Sequence, residues 1–120
     1  MAAAILERIL AAGTVEDEHG NLLPLRDNIS AHQGQRISAC IGRYGIERTC
    51  EVGFAYGISS LSICDAISNQ PNPHHIMIDP LQSTRWHRVG VQNLRKTGFT
   101  FWELIEQPWR SPSRLFSQVS

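Results

Sequence analysis

Between residues 47 and 106 the sequence alternates short apolar runs with segments of helical periodicity, and this alternation constrains the fold more than any other feature. Strands that alternate with helices of this length form right-handed βαβ units around a parallel sheet. We expect the first strand to be buried and to lead directly into a turn. The pattern predicts strands over Glu47–Val52, His75–Asp79 and Phe101–Glu106, and helices over 58–69 and 84–97.

Two further helices are predicted before the first strand. Residues 2–12 carry an apolar stripe at helical spacing and end at a glycine. Ser30 and Gln33 have the spacing of a capping box, which predicts a helix over 30–44. The acidic segment 14–27 contains glycine, asparagine and proline, and it is interpreted as a loop.

The stretch CEVGFAYGISS, residues 50–60, predicts a strand, a glycine turn and the start of a helix. Gly53 and Gly57 can adopt positive φ, and the free N–H groups of a helix start attract an anion. A dinucleotide fingerprint aligned on Gly53 would need glycine at 51 and 56, where the sequence has Glu51 and Tyr56. Glu51 would also repel a pyrophosphate, so NAD is disfavoured.

A ligand with an ammonium and a carboxylate suits this turn better than a pyrophosphate does. Glu51 can favour the cationic end, and the helix start can favour the anionic end. Asp79 closes the next predicted strand, where an acid can accept hydrogen bonds from a ribose diol. An amino acid joined to a nucleoside describes S-adenosylmethionine (SAM).

The segments EVGFAYGIS and IDP resemble motif I and the acidic end of the second strand in class I SAM-dependent methyltransferases, within the small-molecule O-methyltransferase-like branch. The resemblance covers about residues 30–108 and implies a Rossmann-like three-layer parallel sheet. It implies SAM as cofactor and methyl transfer to a small-molecule acceptor. For the methionine part it implies Glu51, Gly53, Tyr56, Gly57 and Ser59; for the ribose, Asp79; and for the adenine edge, Glu106 or Gln107.

Several of these residues also have a structural interpretation. Glu51 could be a strand-end acid, and Asp79 before a proline could be a turn former. Tyr56 could pack within its own loop, and Ser59 could serve as a helix N-cap. Trp86 could line an acceptor pocket, but core packing is favoured.

The remaining composition argues against several classes of site and location. Three cysteines without C-x-x-C spacing predict reduced thiols, with neither a disulfide framework nor a zinc site. His74 and His75 are adjacent on a strand and therefore point to opposite faces, so no metal ligand set is assigned. Eleven basic residues balance eleven acidic ones, and no nucleic-acid partner is predicted. The short apolar N-terminus predicts neither a membrane span nor a secretion signal, and we expect a cytoplasmic protein.

The resemblance stops before the fourth strand of the family sheet. The predicted divisions are an N-terminal helix and loop at 1–29, a partial SAM-binding domain at 30–108 and an irregular tail at 109–120. About three strands with two preceding helices would leave the first strand as an exposed edge, a surface for self-association. We therefore expect a methyltransferase that is truncated and catalytically incomplete. The alternatives are a non-catalytic interaction protein with half a Rossmann fold and, less favoured, an NAD-dependent oxidoreductase.

Overall fold

A computed structural model describes residues 2–26 and 30–107. The predicted tail at 109–120 lies outside the described residues. Within them, four helices and five strands follow one another in the order α1, β1, β2, α2, β3, α3, β4, α4 and β5. Their bounds are Ala2–Ala12, Thr14–Glu16, Leu22–Pro24, Ala31–Tyr44, Arg48–Val52, Ile58–Ile67, His74–Ile78, Val89–Thr97 and Trp102–Ile105.

The main sheet is parallel and has the order β3-β4-β5, as the alternation of strands and helices predicts. Val52 pairs with Ile78, and Ile78 pairs with Ile105, so the three strands end side by side. This common end is the carboxyl edge of the sheet. It is the position at which ligands bind in open α/β sheets.

α3 is the central helix of the described residues: it contacts α1, α2 and α4 as well as β3 and β4. α1 also contacts α4, so the N-terminal helix contributes to the same core as the βαβ units. The largest cluster of buried apolar side chains includes Ile5 and Ile9 of α1, Leu61 of α3, Met77 of β4 and Leu94 of α4. The three-stranded parallel sheet and its connecting helices form the truncated Rossmann-like arrangement that the sequence predicts.

The capping box predicted for α2 is confirmed. Gln33 donates its backbone N–H to the Ser30 hydroxyl, and the Ser30 N–H donates to the Gln33 side chain. At the other end Gly45 adopts a left-handed conformation and donates its N–H to Ile41. Both ends of α2 are therefore capped, the first of them by the residues that predicted it.

Three local predictions are wrong. β3 lies at the edge of the described sheet, as expected, but it is not buried, because the side chains on one of its faces, including that of Cys50, are exposed. Residues 14–27 contain the antiparallel hairpin β1–β2, whose turn is held by the Asp17 carboxylate accepting the N–H groups of His19 and Asn21. The helix expected from residue 84 begins only at Val89, because Arg88 and the residue before it have positive φ.

No described helix combines the length and the apolar character that crossing a membrane requires.

Candidate cofactor site

Backbone hydrogen bonds continue the sheet beyond the ends of its strands. Gly53 donates its N–H to Ile78, and Asp79 donates its N–H to Ile105, with distances of 2.8 and 2.9 Å. Gly53, Asp79 and Glu106, the first residues after their strands, therefore lie next to one another at the carboxyl edge.

The glycine turn between β3 and α3 combines open and crowded positions. Gly53 has a φ of 87°, is exposed, and has no atom within 4 Å of the position a Cβ would take. Gly57 has a φ of 82°, and a Cβ there would lie 3.0 Å from the Phe54 ring and 3.2 Å from Gly90. Gly53 therefore leaves free space in front of the backbone, whereas Gly57 allows the turn to pack on α4.

Ala55 is the strained residue of this turn. Its φ is 52°, in the left-handed region that costs a residue with a side chain about 1–2 kcal/mol. Such a conformation persists only where the surrounding structure enforces it. Gly90 of α4 contributes to this, because its lack of a side chain lets α4 approach the Ala55 carbonyl.

Asp79 binds the glycine turn directly. One carboxylate oxygen accepts the backbone N–H groups of Phe54 at 3.2 Å and Ala55 at 2.9 Å, and the other accepts that of Leu81 at 3.0 Å. Asp79 is 3% exposed. Its carboxylate is thus buried among protein donors.

Gln82 completes this arrangement. Its side-chain nitrogen donates to the Ala55 carbonyl at 2.8 Å and to Asp79 at 3.3 Å. Its side-chain oxygen accepts the N–H of Val91 in α4 at 3.3 Å, and the residue is fully buried. Gln82 therefore joins the turn, the end of β4 and α4.

The side chain of Glu51, from β3, contacts both the start of α3 and the neighbouring strand β4. Its carboxylate accepts the hydroxyls of Ser59 and Ser60 and lies 2.9 Å from Nε2 of the buried His75. Nδ1 of His75 is 2.7 Å from the Thr49 hydroxyl. Burial favours the neutral form of Glu51, but the hydrogen bonds from His75 and the two serines outweigh it and hold the pKa of Glu51 below its ordinary value.

Comparison with solved structures finds the same fold in methyltransferases. The SAH-bound methyltransferase PaMTH1 from Podospora anserina superimposes with a TM-score of 0.65 over 89% of this chain, at 16% identity. The O-methyltransferase TomG from Streptomyces achromogenes, in complex with SAM, matches 71% of this chain with a TM-score of 0.58 and 20% identity. Cofactor-bound Rv0187 from MTB matches 87% with a TM-score of 0.60 and 19% identity. The chain has a class I methyltransferase-like fold.

This chain spans 41%, 42% and 42% of the length of those three proteins, less than half in each case. Comparisons with protein-family models and with curated proteins find no match.

The methyltransferase-like fold brings most of the predicted site residues to one edge, in different environments. Tyr56 is 2% exposed and packs edge-to-face on Trp86 with 5.1 Å between ring centroids, so both rings belong to the core. Ser59 uses its hydroxyl on Glu51 and not as a helix cap, because α3 has Gly57 at its N-cap without a side-chain bond. For Tyr56, the burial and the contact with Trp86 therefore support the interpretation as a packing residue.

Glu106 lies farther along the same edge, beyond β5. It accepts the Ser83 hydroxyl and both its oxygens contact the Arg88 guanidinium, at 3.1 and 3.2 Å. Gln107 is exposed beside it and lines a surface depression together with residues 103–106. These two residues are thus accessible from solvent, unlike Asp79.

Four residues that hydrogen-bond around Glu51 and Asp79 were not predicted as site residues from the sequence: Thr49, Ser60, His75 and Gln82. His75 could have been found from strand register, since Thr49 pairs with His75 and Glu51 is two residues farther on the same face. Its neighbour His74 points the other way and lies 3.6 Å from Glu103, which confirms the expected opposite faces. No signal in the sequence distinguishes Gln82 from a surface residue of a turn.

The described residues contain no group of three or more histidine, cysteine, aspartate or glutamate side chains arranged to hold a metal ion. The cysteines at 40, 50 and 64 are free thiols. Burial, with a smaller contribution from the charge of Glu51, raises the pKa of Cys64 to about 12.

Proposed function

We propose that this chain binds SAM at the carboxyl edge of β3, β4 and β5 and takes part in methyl transfer to a small-molecule acceptor. The observation that carries the proposal is Gly53, which is exposed, has positive φ and has open space in front of it at the edge where this fold binds ligands. Two of the structural neighbours contain SAM or its product SAH, which supports the choice of ligand.

The described residues fit the cofactor in part. The first bond of α3 runs from the Leu61 N–H to Gly57, so the N–H groups before Leu61 have no carbonyl partner inside the helix and can favour a carboxylate. Glu51 keeps 14% of its side chain exposed, through which it attracts an ammonium group. Glu106 and Gln107 are exposed at the position proposed for the adenine edge.

SAM, when bound, would supply an electrophilic methyl group: a deprotonated acceptor oxygen would form the O–CH3 bond while the S–CH3 bond breaks and SAH leaves as a neutral thioether. Such a displacement depends mainly on the relative position of donor and acceptor. We propose an oxygen acceptor because TomG is an O-methyltransferase and the glycine motif resembles that branch. The role of this chain is to fix the donor.

Isothermal titration calorimetry with SAM and SAH tests the proposal, with Gly53→Arg as the disrupting variant. The matched control is Gly20→Arg, because Gly20 has a φ of 81° and equally open surroundings but lies in the β1–β2 hairpin. Both variants suffer similar backbone strain, about 1–2 kcal/mol. We expect wild type and Gly20→Arg to bind SAH and Gly53→Arg to bind at least tenfold more weakly.

Absence of SAH binding by folded wild-type protein, or equal binding by Gly53→Arg, would exclude this site. A parallel NADH fluorescence titration separates the proposal from a dinucleotide-dependent enzyme. We expect no NADH binding, because Glu51 places a carboxylate where a pyrophosphate would approach.

The edge position of β3 favours a second candidate function, self-association. Among the described strands β3 has a neighbour on one side only, and Val52 at its end is 75% exposed. A free strand edge can pair with the same edge of a second copy. Light scattering after size-exclusion chromatography tests this candidate: we expect a dimer for wild type and a monomer for Val52→Lys, and a monomeric wild type would rule it out.

A further inference from the structure

We propose that Asp79 and Gln82 form a clamp that holds the glycine turn in its ligand-binding shape, so that both are positioning residues and Asp79 acts on the turn and not on a ribose. This inference rests on the proposed cofactor site. It differs from the sequence expectation, in which Asp79 binds the ribose hydroxyls.

The direction of the hydrogen bonds carries the first step. An acid that holds a ribose diol has its oxygens directed at the ligand, but both Asp79 oxygens accept protein N–H groups. Among the described residues, four donors reach the Asp79 side chain, three from the backbone and one from Gln82. With 3% of the residue exposed, the carboxylate is already satisfied inside the protein.

The strain at Ala55 carries the second step. A left-handed alanine relaxes unless something holds both of its peptide groups. Asp79 accepts the Ala55 N–H, and Gln82 donates to the Ala55 carbonyl. The two side chains therefore hold both peptide groups of Ala55. The conformation of the turn is thereby fixed from outside the turn.

The position of Gly53 carries the third step. Gly53 is two residues before Ala55, and its own N–H is bonded to Ile78, directly before Asp79. Release of Ala55 would let the segment between Gly53 and Gly57 move into the open space in front of Gly53. The clamp therefore controls whether that space is available to a ligand.

Gln82→Met is the informative variant because it keeps the size of the side chain and the Asp79 carboxylate but removes the hydrogen bond to the Ala55 carbonyl. We expect backbone amide exchange at Ala55, measured in the ligand-free protein, to become at least fivefold faster, since one net buried hydrogen bond corresponds to about fivefold. We expect SAH affinity to fall by at least fivefold in the same variant.

Thr97→Val is the matched control. Thr97 is also buried and hydrogen-bonded, to Leu94 and Phe99, but it lies at the far end of α4. We expect it to lower the melting temperature while leaving Ala55 exchange, at equal distance below the melting point, and SAH affinity near their wild-type values. Asp79→Asn provides a second clamp variant should Gln82→Met fail to fold, with the same expected increase in Ala55 exchange.

The outcomes distinguish the clamp from direct binding of the ligand by Asp79. If Gln82→Met leaves both Ala55 exchange and SAH affinity unchanged, the clamp is wrong. If Asp79→Asn abolishes SAH binding without any change in Ala55 exchange, Asp79 binds the ligand directly and the inference is overturned. If wild-type protein does not bind SAH at all, the proposed function fails, while amide exchange still decides whether the clamp exists.

Discussion

Gly90→Ala is the sharpest structural test of how α4 meets the glycine turn. A Cβ at residue 90 would lie 2.7 Å from the Ala55 carbonyl oxygen and 2.9 Å from two carbons of the Phe54 ring. The closest of these neighbours is backbone, and the Ala55 conformation is held by Asp79 and Gln82, so the methyl group cannot be accommodated by a side-chain rotation.

The magnitude follows from two opposing effects. Alanine is a better helix former than glycine by up to about 1 kcal/mol. Overpacking in a well-packed interior costs about 1–3 kcal/mol, and the rigid contact at residue 90 places the cost near the upper end. We therefore expect Gly90→Ala to lower the free energy of unfolding by about 1–2 kcal/mol.

Gly42→Ala is the matched control. Gly42 also lies in a helix, α2, but it is exposed and a Cβ there would meet nothing within 4 Å. It retains the gain in helix propensity without the contact, so we expect it to raise stability by up to about 1 kcal/mol. The difference between the two variants, about 2–3 kcal/mol, isolates the close approach of α4 to the turn.

Urea unfolding followed by far-ultraviolet circular dichroism and by the fluorescence of the buried Trp86 provides the measurement. At about 4 °C per kcal/mol for a chain of this size, the two variants should also melt roughly 10 °C apart. If Gly90→Ala is as stable as Gly42→Ala, the packing of α4 against Ala55 is not as described.

Three further predictions concern the helix cap, the thiols and Glu51. Ser30→Ala should lower the free energy of unfolding in urea by about 1 kcal/mol because the Gln33 N–H loses its acceptor, whereas Ser38→Ala in the same helix should have little effect. In the native protein at pH 8, a thiol reagent should label exposed Cys40 and leave buried Cys64, whose pKa is about 12, unlabelled until urea unfolds the chain; labelling of Cys64 at the rate of Cys40 would contradict its burial. The pKa of Glu51 is lower in the folded than in the unfolded chain, so its contribution to stability is complete above about pH 4.5 and is lost as pH falls through the folded value. Glu51→Gln should accordingly lose less stability than wild type between pH 7 and pH 3 in urea titrations, and an equal loss would show that Glu51 is not held in its charged form.

The sequence predicts the architecture because its signals are local. Apolar runs, glycines and capping residues predict the parallel strands and α2 within a few residues. The start of α4 is missed because the residues before it have acceptable helical periodicity, and the positive φ of Arg88 accompanies an ion pair with Glu106 that is formed only in the folded chain. The edge position of β3 is predicted, but the exposure of its side chains is missed, because whether one face of a strand is covered depends on elements elsewhere in the chain.

For the candidate site, the sequence predicts the backbone geometry and the position of several residues but not the contacts of their side chains. Gly53 and Gly57 have the positive φ that the motif implies. Glu51 and Asp79 lie at the expected strand ends, but their partners come from other elements: His75 from β4 for Glu51, and the backbone of the glycine turn for Asp79. Such contacts depend on strand register and on the path of the turn, so a motif read along the chain does not contain them.

The bonds from Asp79 and Gln82 to Ala55 have a consequence for transplanting this turn into another protein. The groups that hold its shape come from positions 24 and 27 residues later in the chain, after an entire helix and a second strand. A graft of residues 50–60 onto the strand–helix junction of another protein would contain the glycines but lack the side chains that hold the turn in its conformation. The smallest transferable unit is the complete βαβ segment through Gln82, together with the glycine of α4 that packs on it.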